Sequence, residues 1–317
     1  MKIVILEADT LGRDMDLSMF NQLGEVVIYP LSTLEQVPER VNDADVVLMN
    51  KLPMNEQTLK DAKNLKLIAV TATGTNIVDF DYVNQRGIKV CNVAGYSTDT
   101  VAQHTFALLF YVMEKMHYYD SYVKSGEYSK SPMFTHIDQP FMELAGKTWG
   151  IIGLGAIGRK VATIAKAFGC HVIYYSTSGK NNNSEYERVE FETLLEKSDI
   201  LSIHAPLTPE TTHLLNRVAF EQMKENAIVI NVGRGPIIVD EDLAYALEHN
   251  LIGGAGLDVV TTEPIQENNP LLAMKDSNKL VITPHIAWAS NEARCRLVNE
   301  VYANVESFSK GIERNLV

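Results

Sequence analysis

The sequence predicts an α/β fold of two doubly wound parallel sheets, Rossmann-like and flavodoxin-like, with a cleft between them. Three observations predict it. Short β-rich apolar runs alternate with helical stretches from Met1 to about Gly95; the alternation restarts at Lys147; and this second series opens on a glycine-punctuated turn, Gly153 to Gly158. Such alternation is the pattern of parallel strands covered by helices. At 317 residues the chain also exceeds the usual size of a single core, so two domains are expected.

In the first half, Lys2 to Leu6, Val26 to Ile28, Val46 to Met49, Leu67 to Val70 and Ile88 to Val90 read as strands. No GxGxxG occurs among them, so a nucleotide is not expected there. The polar loop Thr71 to Asn76 follows the fourth strand, and ligands of open parallel sheets bind beyond strand carboxyl ends. The amides of Gly74 and Thr75 are candidate donors to a small anion, although a plain glycine-containing connection has the same spacing. Lys51 reads either as a second anion contact or as a surface lysine.

Asp99 to His117 is long and mostly apolar, the pattern of a buried helix joining two domains. Tyr118 to Ala145 is rich in aromatics and has no clear period. Such a segment is a lid or an arm that packs on a partner subunit. The arm, and with it a homodimer, is the expectation.

From Lys147 the strands are Thr148 to Ile152, His171 to Tyr175, Ile200 to Ile203, Ala227 to Asn231, Gly254 to Asp258 and Leu280 to Ile282. After the first of them comes GLGAIG, and then Ile157, Val161, Ile164, Ala165 and Phe168 recur at helical spacing up to the stop signal Gly169. In this strand, turn, helix setting the first glycine makes the tight turn, the second admits a pyrophosphate to the backbone, and the third lets helix pack on strand. The anion meets the helix N-terminus. Gly153, Gly155, Ala156, Ile157 and Gly158 are therefore candidate cofactor-binding residues of a dinucleotide domain spanning 99–288. Beyond Ser290, Leu297, Val298, Val301, Val305 and Phe308 trace one helical face. This helix is expected to return to the first domain, 1–98 plus 289–317, with hinges near Asp99 and Ser290.

A net charge of −12 argues against nucleic acid or an acidic membrane as partner, and no apolar run has the length of a membrane span. The start MKIVILEAD reads as a strand rather than a secretory signal, so a cytoplasmic location is expected. Cys91, Cys170 and Cys295 are scattered, which suggests buried apolar packing rather than a disulfide frame. No cluster has metal-ligand spacing, so no metal is expected.

Three polar residues stand just beyond strand ends: Arg234 in NVGRGP, Glu263 in DVVTTEP and His285 in TPHIAWAS. Singly each has a plain reading as a solvated or turn residue. Strand ends on one edge of a parallel sheet converge, so beside a nucleotide fold the three become candidate catalytic residues.

The motifs GLGAIG (Gly153 to Gly158), HAPLTPET (His204 to Thr211), NVGRGPIIVDEDL (Asn231 to Leu243), GAGLDVVTTEP (Gly254 to Pro264) and TPHIAW (Thr283 to Trp288) occur in this order. The chain thereby resembles, over nearly its whole length, the D-isomer-specific 2-hydroxyacid dehydrogenases. NKLP around Lys51 and the WAS after His285 look most like the glycerate dehydrogenase or hydroxypyruvate reductase branch. The resemblance implies hydride transfer between NAD(P)H and C2 of a small 2-oxo or D-2-hydroxy acid, with hydroxypyruvate or glyoxylate the expected substrates. It implies His285 as acid and base, an assignment that suits an imidazole. Glu263 would orient that ring and favour its protonated form. Arg234 would hold the substrate carboxylate with a fork that Lys lacks. It carries over Gly74 and Thr75 as carboxylate contacts, His204, Pro206, Thr211, Val232 and Gly233 as cofactor contacts, and Asp258 as the partner of the nicotinamide carboxamide. Trp288 would narrow the substrate pocket, or else be a packed aromatic.

One departure concerns the cofactor. NAD sites place an acid about 20 residues past the glycine turn, whereas here Ser176 stands there, followed by Thr177, Ser178 and Lys180. No carboxylate would repel a 2′-phosphate, and no Arg lies in the immediate stretch. The cofactor is expected to be NAD or NADP, with the balance toward NADP. A second reading, from the same fold, is a non-catalytic dinucleotide-sensing protein of the corepressor type. Against it stand the acidic composition and the absence of a low-complexity tail.

Overall fold

The computed structural model describes residues 1–276 and 278–317. The chain divides into two units, Met1–Ser97 with Ala289–Val317, and Thr98–Trp288.

In the first unit the strands β1 (Lys2–Ile5), β2 (Glu25–Ile28), β3 (Val46–Met49), β4 (Leu67–Val70) and β5 (Lys89–Cys91) form one parallel sheet in the order β2-β1-β3-β4-β5. β3 and β4 are buried throughout, as continuous Val, Ile and Leu runs require when both faces are covered. Short helices α1 (Val37–Val41), α2 (Glu56–Leu59) and α3 (Phe80–Gln85) connect the strands. Val4, Val47, Ile68 and Val90 form the centre of the core. The order reverses between β1 and β3, and there the Glu7 carboxylate accepts from three successive amides, Asn50 at 2.9 Å, Lys51 at 3.0 Å and Leu52 at 3.3 Å.

The second unit begins with three helices, α4 (Thr98–Met113), α5 (Met116–Lys124) and α6 (Glu127–Lys130). The single helix expected over Asp99 to His117 is broken at Lys115, whose φ of 53° lies in the left-handed region. α4 packs on the sheet of its own unit, through Phe106, Leu109 and Val112. α5 and α6 bury no residue, so the aromatic-rich stretch Tyr118 to Ala145 contains short helices outside the core.

Seven parallel strands follow: β6 (Thr148–Ile152), β7 (His171–Tyr175), β8 (Glu187–Arg188), β9 (Ile200–Ile203), β10 (Ile228–Asn231), β11 (Gly254–Leu257) and β12 (Leu280–Ile282). Their order is β12-β11-β10-β9-β6-β7-β8. The sequence predicts six of these. β8 escapes it because two charged residues on a sheet edge carry no apolar signal. Helices α7 (Ala156–Ala167), α8 (Phe191–Lys197), α9 (Arg217–Glu221) and α10 (Asp240–Glu248) cover the faces, and α11 (Asn291–Ser309), capped by Ser290, completes the first unit against β4. Among the described residues no helix is long and apolar enough to cross a membrane.

Candidate active site

The strand order of the second unit reverses at β6, flanked by β9 and β7, and such a switch point is where an open α/β sheet binds its ligand. The glycine turn stands at this place, and each glycine has a measurable reason. Gly153 has φ +89° and packs on Ala205, just past β9. A Cβ on Gly158 would overlap the carbonyl oxygen of Gly153, so only glycine lets α7 approach β6 this closely. A Cβ on Gly155 would meet nothing within 4 Å. Space is therefore kept open beside the backbone at the start of α7, whose N-cap, Gly155, offers no side chain to its amides. Uncapped first-turn amides beside open space fit a pyrophosphate. Ala156 and Ile157 begin that turn.

His204 follows β9, and its amide is tied to Ile152 O at 2.9 Å. Trp149 Nε1 donates to Ser202 Oγ at 2.8 Å, and His204 Nε2 lies 3.0 Å from the same oxygen. An indole nitrogen can only donate, so the serine oxygen accepts from Trp149 and shares a further hydrogen bond with the His204 ring. Among the described residues the buried His204 Nδ1 has no hydrogen-bond partner. Burial pushes the ring down to about 3, so it is neutral. Thr211, expected to touch the cofactor, uses its hydroxyl internally. Oγ1 accepts from Thr208 N and donates to Pro206 O, each at 2.8 Å. Its work is to shape the turn that bears Pro206.

Ser176 is buried, and its Oγ accepts from Asn181 N at 3.2 Å. Asn181 Nδ2 in turn donates to Leu154 O in the glycine turn at 2.6 Å, while Thr177 stays half-exposed. A cation that sequence proximity did not show is present: Arg188 of β8 donates to Gly179 O at 3.0 Å.

The Arg234 loop is built around Asn231, fully buried at the end of β10. Its Oδ1 accepts from Gly233 N and its Nδ2 donates to Arg234 O, both at 3.0 Å. Val232 packs against the core, and Arg234 Nη1 donates to Gly233 O at 2.8 Å. A Cβ on Gly235 would overlap Val260 O, so glycine lets this loop abut the segment leading to Glu263.

Glu263 and His285 meet directly: His285 Nδ1 lies 2.7 Å from Glu263 Oε2, with the two side chains about one-third exposed or less. Glu263 Oε1 also accepts from Val260 N at 3.3 Å. His285 has φ +55°, a left-handed conformation that costs a non-glycine residue about 1–2 kcal/mol. Asp258 holds it there. Its carbonyl accepts from His285 N at 2.9 Å, its Oδ1 from Ile286 N at 2.9 Å and its Oδ2 from Ala287 N at 2.8 Å. Thr283 Oγ1 donates to Oδ1 at 2.6 Å. Burial pushes this carboxyl up, but His104, Thr283 and the two amides together hold it below the ordinary value. Asp258, expected to serve the carboxamide, thus has a structural task within the His285 loop. Trp288 has one as well: its Nε1 donates to His285 O at 2.9 Å.

In the first unit, the amides around Lys51 are taken by Glu7, as described above. The Gly74–Thr75 loop is fastened by Thr73 Oγ1 on Val93 O at 2.8 Å and Asn92 Nδ2 on Thr73 O at 2.6 Å.

Comparison with known proteins agrees with this geometry. Residues 106–287 match the family model for the D-isomer specific 2-hydroxyacid dehydrogenase, NAD binding domain. A hydroxypyruvate reductase of Blautia hydrogenotrophica is 39% identical, with 100% of this chain and 99% of the relative covered. A glycerate dehydrogenase of Methylorubrum extorquens is 38% identical, with 100% and 98% covered. An acyclic imino acid reductase solved in complex with NADPH and D-Arg superposes with a TM-score of 0.88 at 31% identity, over 100% of both chains. These likenesses support an enzyme and not the dinucleotide-sensing reading. The protein belongs to the D-isomer specific 2-hydroxyacid dehydrogenases and is an NAD(P)-dependent oxidoreductase.

Proposed function

We propose that this enzyme reduces hydroxypyruvate or glyoxylate, giving D-glycerate or glycolate, with Arg234, Glu263 and His285 as its catalytic residues. The observation that carries the reading is the 2.7 Å contact between His285 and Glu263. A bound reduced nicotinamide supplies the hydride to C2 of the acid. As C2 gains the hydride, the carbonyl oxygen takes up negative charge and needs a proton. His285 delivers it from Nε2, since Nδ1 is engaged by Glu263, and Glu263 stabilises the ring while it is charged. Arg234 keeps guanidinium nitrogens beyond the one on Gly233 O for the substrate carboxylate. The Trp288 bond to His285 O steadies the loop during proton transfer. Gly74, Thr75 and Lys51 are the anion contacts we assign to the first unit.

For the cofactor, NADP is favoured. No carboxylate stands in Ser176 to Lys180, and Thr177, Ser178 and Lys180 are joined by Arg188 at Gly179. The relative solved with NADPH supports this. The active form is a cytoplasmic homodimer through the segment 116–142. Phe134 is 90% exposed and Ile137 76%, while Tyr118, Tyr122 and His136 stack to hold the segment in shape. Solvent-facing apolar side chains in this number mark an association surface.

The test mixes the protein with NADH or NADPH and each of several small 2-oxo acids and follows nicotinamide absorbance. Oxidation fastest with hydroxypyruvate or glyoxylate is expected; no oxidation with either would overturn the reading.

A further inference from the structure

We infer that His104, in the middle of α4, is a positioning residue for the proton-transfer histidine, acting through Thr283 and Asp258. The inference rests on the catalytic reading of His285 above. It begins with how α4 lies on β11. A Cβ on Gly254 would run into Val112, and a Cβ on Gly256 would run into Leu108. Two glycines on alternate strand positions thus admit the helix to close range, with residues four apart on α4 facing residues two apart on β11. Four helical residues advance about 6.0 Å and two strand residues about 6.6 Å, so the match continues for one more step. That step brings His104 opposite Asp258.

The hydrogen bonds there have one consistent assignment of protons. Thr283 Oγ1 has a single hydrogen and lies 2.6 Å from Asp258 Oδ1, a short charge-assisted bond. The same oxygen is 3.0 Å from His104 Nε2, so it must accept from that nitrogen. His104 Nε2 is also 3.5 Å from Asp258 Oδ1. The side chain of His104 is 19% exposed and that of Asp258 1%, so both bonds are made away from water, where a missing donor is costly.

The far side of the carboxylate holds Ile286 N and Ala287 N, the two amides that follow His285. Those bonds, with the one from His285 N to Asp258 O, keep His285 at φ +55°. Burial disfavours the charge on Asp258, and His104, Thr283 and the two amides together restore it; His104 does so from 3.5 Å and through its bond to Thr283 Oγ1. Removal of His104 weakens the carboxylate as an acceptor and releases the loop. His285 then relaxes from its strained conformation and its ring leaves Glu263. His104 touches neither cofactor nor substrate in this scheme, and its effect is confined to where the imidazole stands.

The test uses full-length His104→Ala, His104→Gln and Thr283→Val. A glutamine can place an N–H near the position of Nε2. A displaced catalytic group costs up to about 100-fold, so kcat falls roughly tenfold to 100-fold in His104→Ala and Thr283→Val. The double variant falls no further than either single one, NAD(P)H affinity measured by fluorescence stays within about twofold, and His104→Gln recovers most of the loss. In parallel, the ring ¹⁵N resonances of His285 move in His104→Ala and return in His104→Gln. Unmoved His285 resonances in His104→Ala would overturn the inference, and they can be recorded even where no 2-oxo acid is turned over. Equal losses of kcat, cofactor affinity and melting temperature with no recovery in His104→Gln would overturn it too.

Discussion

His285 Nδ1 and Glu263 Oε2 stand 2.7 Å apart although φ of His285 is +55°, so the pair is maintained against a backbone preference. Conformations of this kind persist where the surroundings over-determine them. Replacing His285 by Ala is expected to lower kcat by about 10²–10⁴-fold, the range of general acid–base catalysis, with cofactor binding retained. Glu263→Gln, which keeps an acceptor but removes the charge, should lose less. Rapid-mixing rates beside fluorescence titration of NAD(P)H check both, and parallel loss of binding and turnover would count against the assignment.

Gly235 faces Val260 O with no room for a methyl group. The obstacle is backbone and cannot rotate away. Gly235→Ala is therefore expected to destabilise the second unit by about 1–3 kcal/mol, as overpacking does, and to shift the Arg234 loop. Urea unfolding reads the stability. A variant as stable as the parent would show that the Val260–Thr261 segment can yield.

The His204 ring gives a pH dependence with a definite sign. Its value is near 6.5 when unfolded and about 3 when folded, lowered by burial. Between those values the unfolded chain binds a proton that the folded one refuses, so this stability is complete above about 6.5 and is lost as pH falls toward 3. In urea midpoints measured downward from pH 7, the advantage of the parent over His204→Gln should shrink. A constant difference would mean that the ring titrates normally.

Cofactor preference is expected to turn on the loop after β7. Ser176→Asp introduces a carboxylate that repels a 2′-phosphate and pairs with a ribose hydroxyl. Arg188→Ala removes a cation held at Gly179. Both changes should lower the ratio of NADPH to NADH affinity, read by titration, whereas an unchanged ratio in both would reject the NADP assignment.

For the segment 116–142, Phe134→Asp with Ile137→Asp should convert a homodimer to monomer in sedimentation, because both side chains face solvent within the chain. Unaltered sedimentation as a dimer would move the interface elsewhere.

The strands were legible wherever apolar residues run together: β3, β4, β9 and β10 are buried at every position. β8 was not, because a polar edge pair has no such run, and the break between α4 and α5 was not, because it rests on the left-handed backbone of Lys115 and not on an apolar pattern. Of the site, the glycine turn could be read from local pattern, as could the polar residues past the strand ends. The roles of Asn231 and Asp258 as loop pins could not, since their carbonyl and amide partners are unremarkable in sequence. His104 had one faint signal, a His, Leu, Val spacing of four against the alternate glycines of GAGLD.

By itself the sequence determined the parallel α/β architecture, the family, and the turn at Gly153 to Gly158, because burial, turn geometry and close backbone approach are properties of neighbouring residues. Only the tertiary structure decided that His104 donates to Thr283, 179 residues away, and that Asp258 grips the loop of His285. A hydrogen bond depends on tenths of an ångström between elements distant in the chain, and that distance is set by how closely α4 can settle on β11.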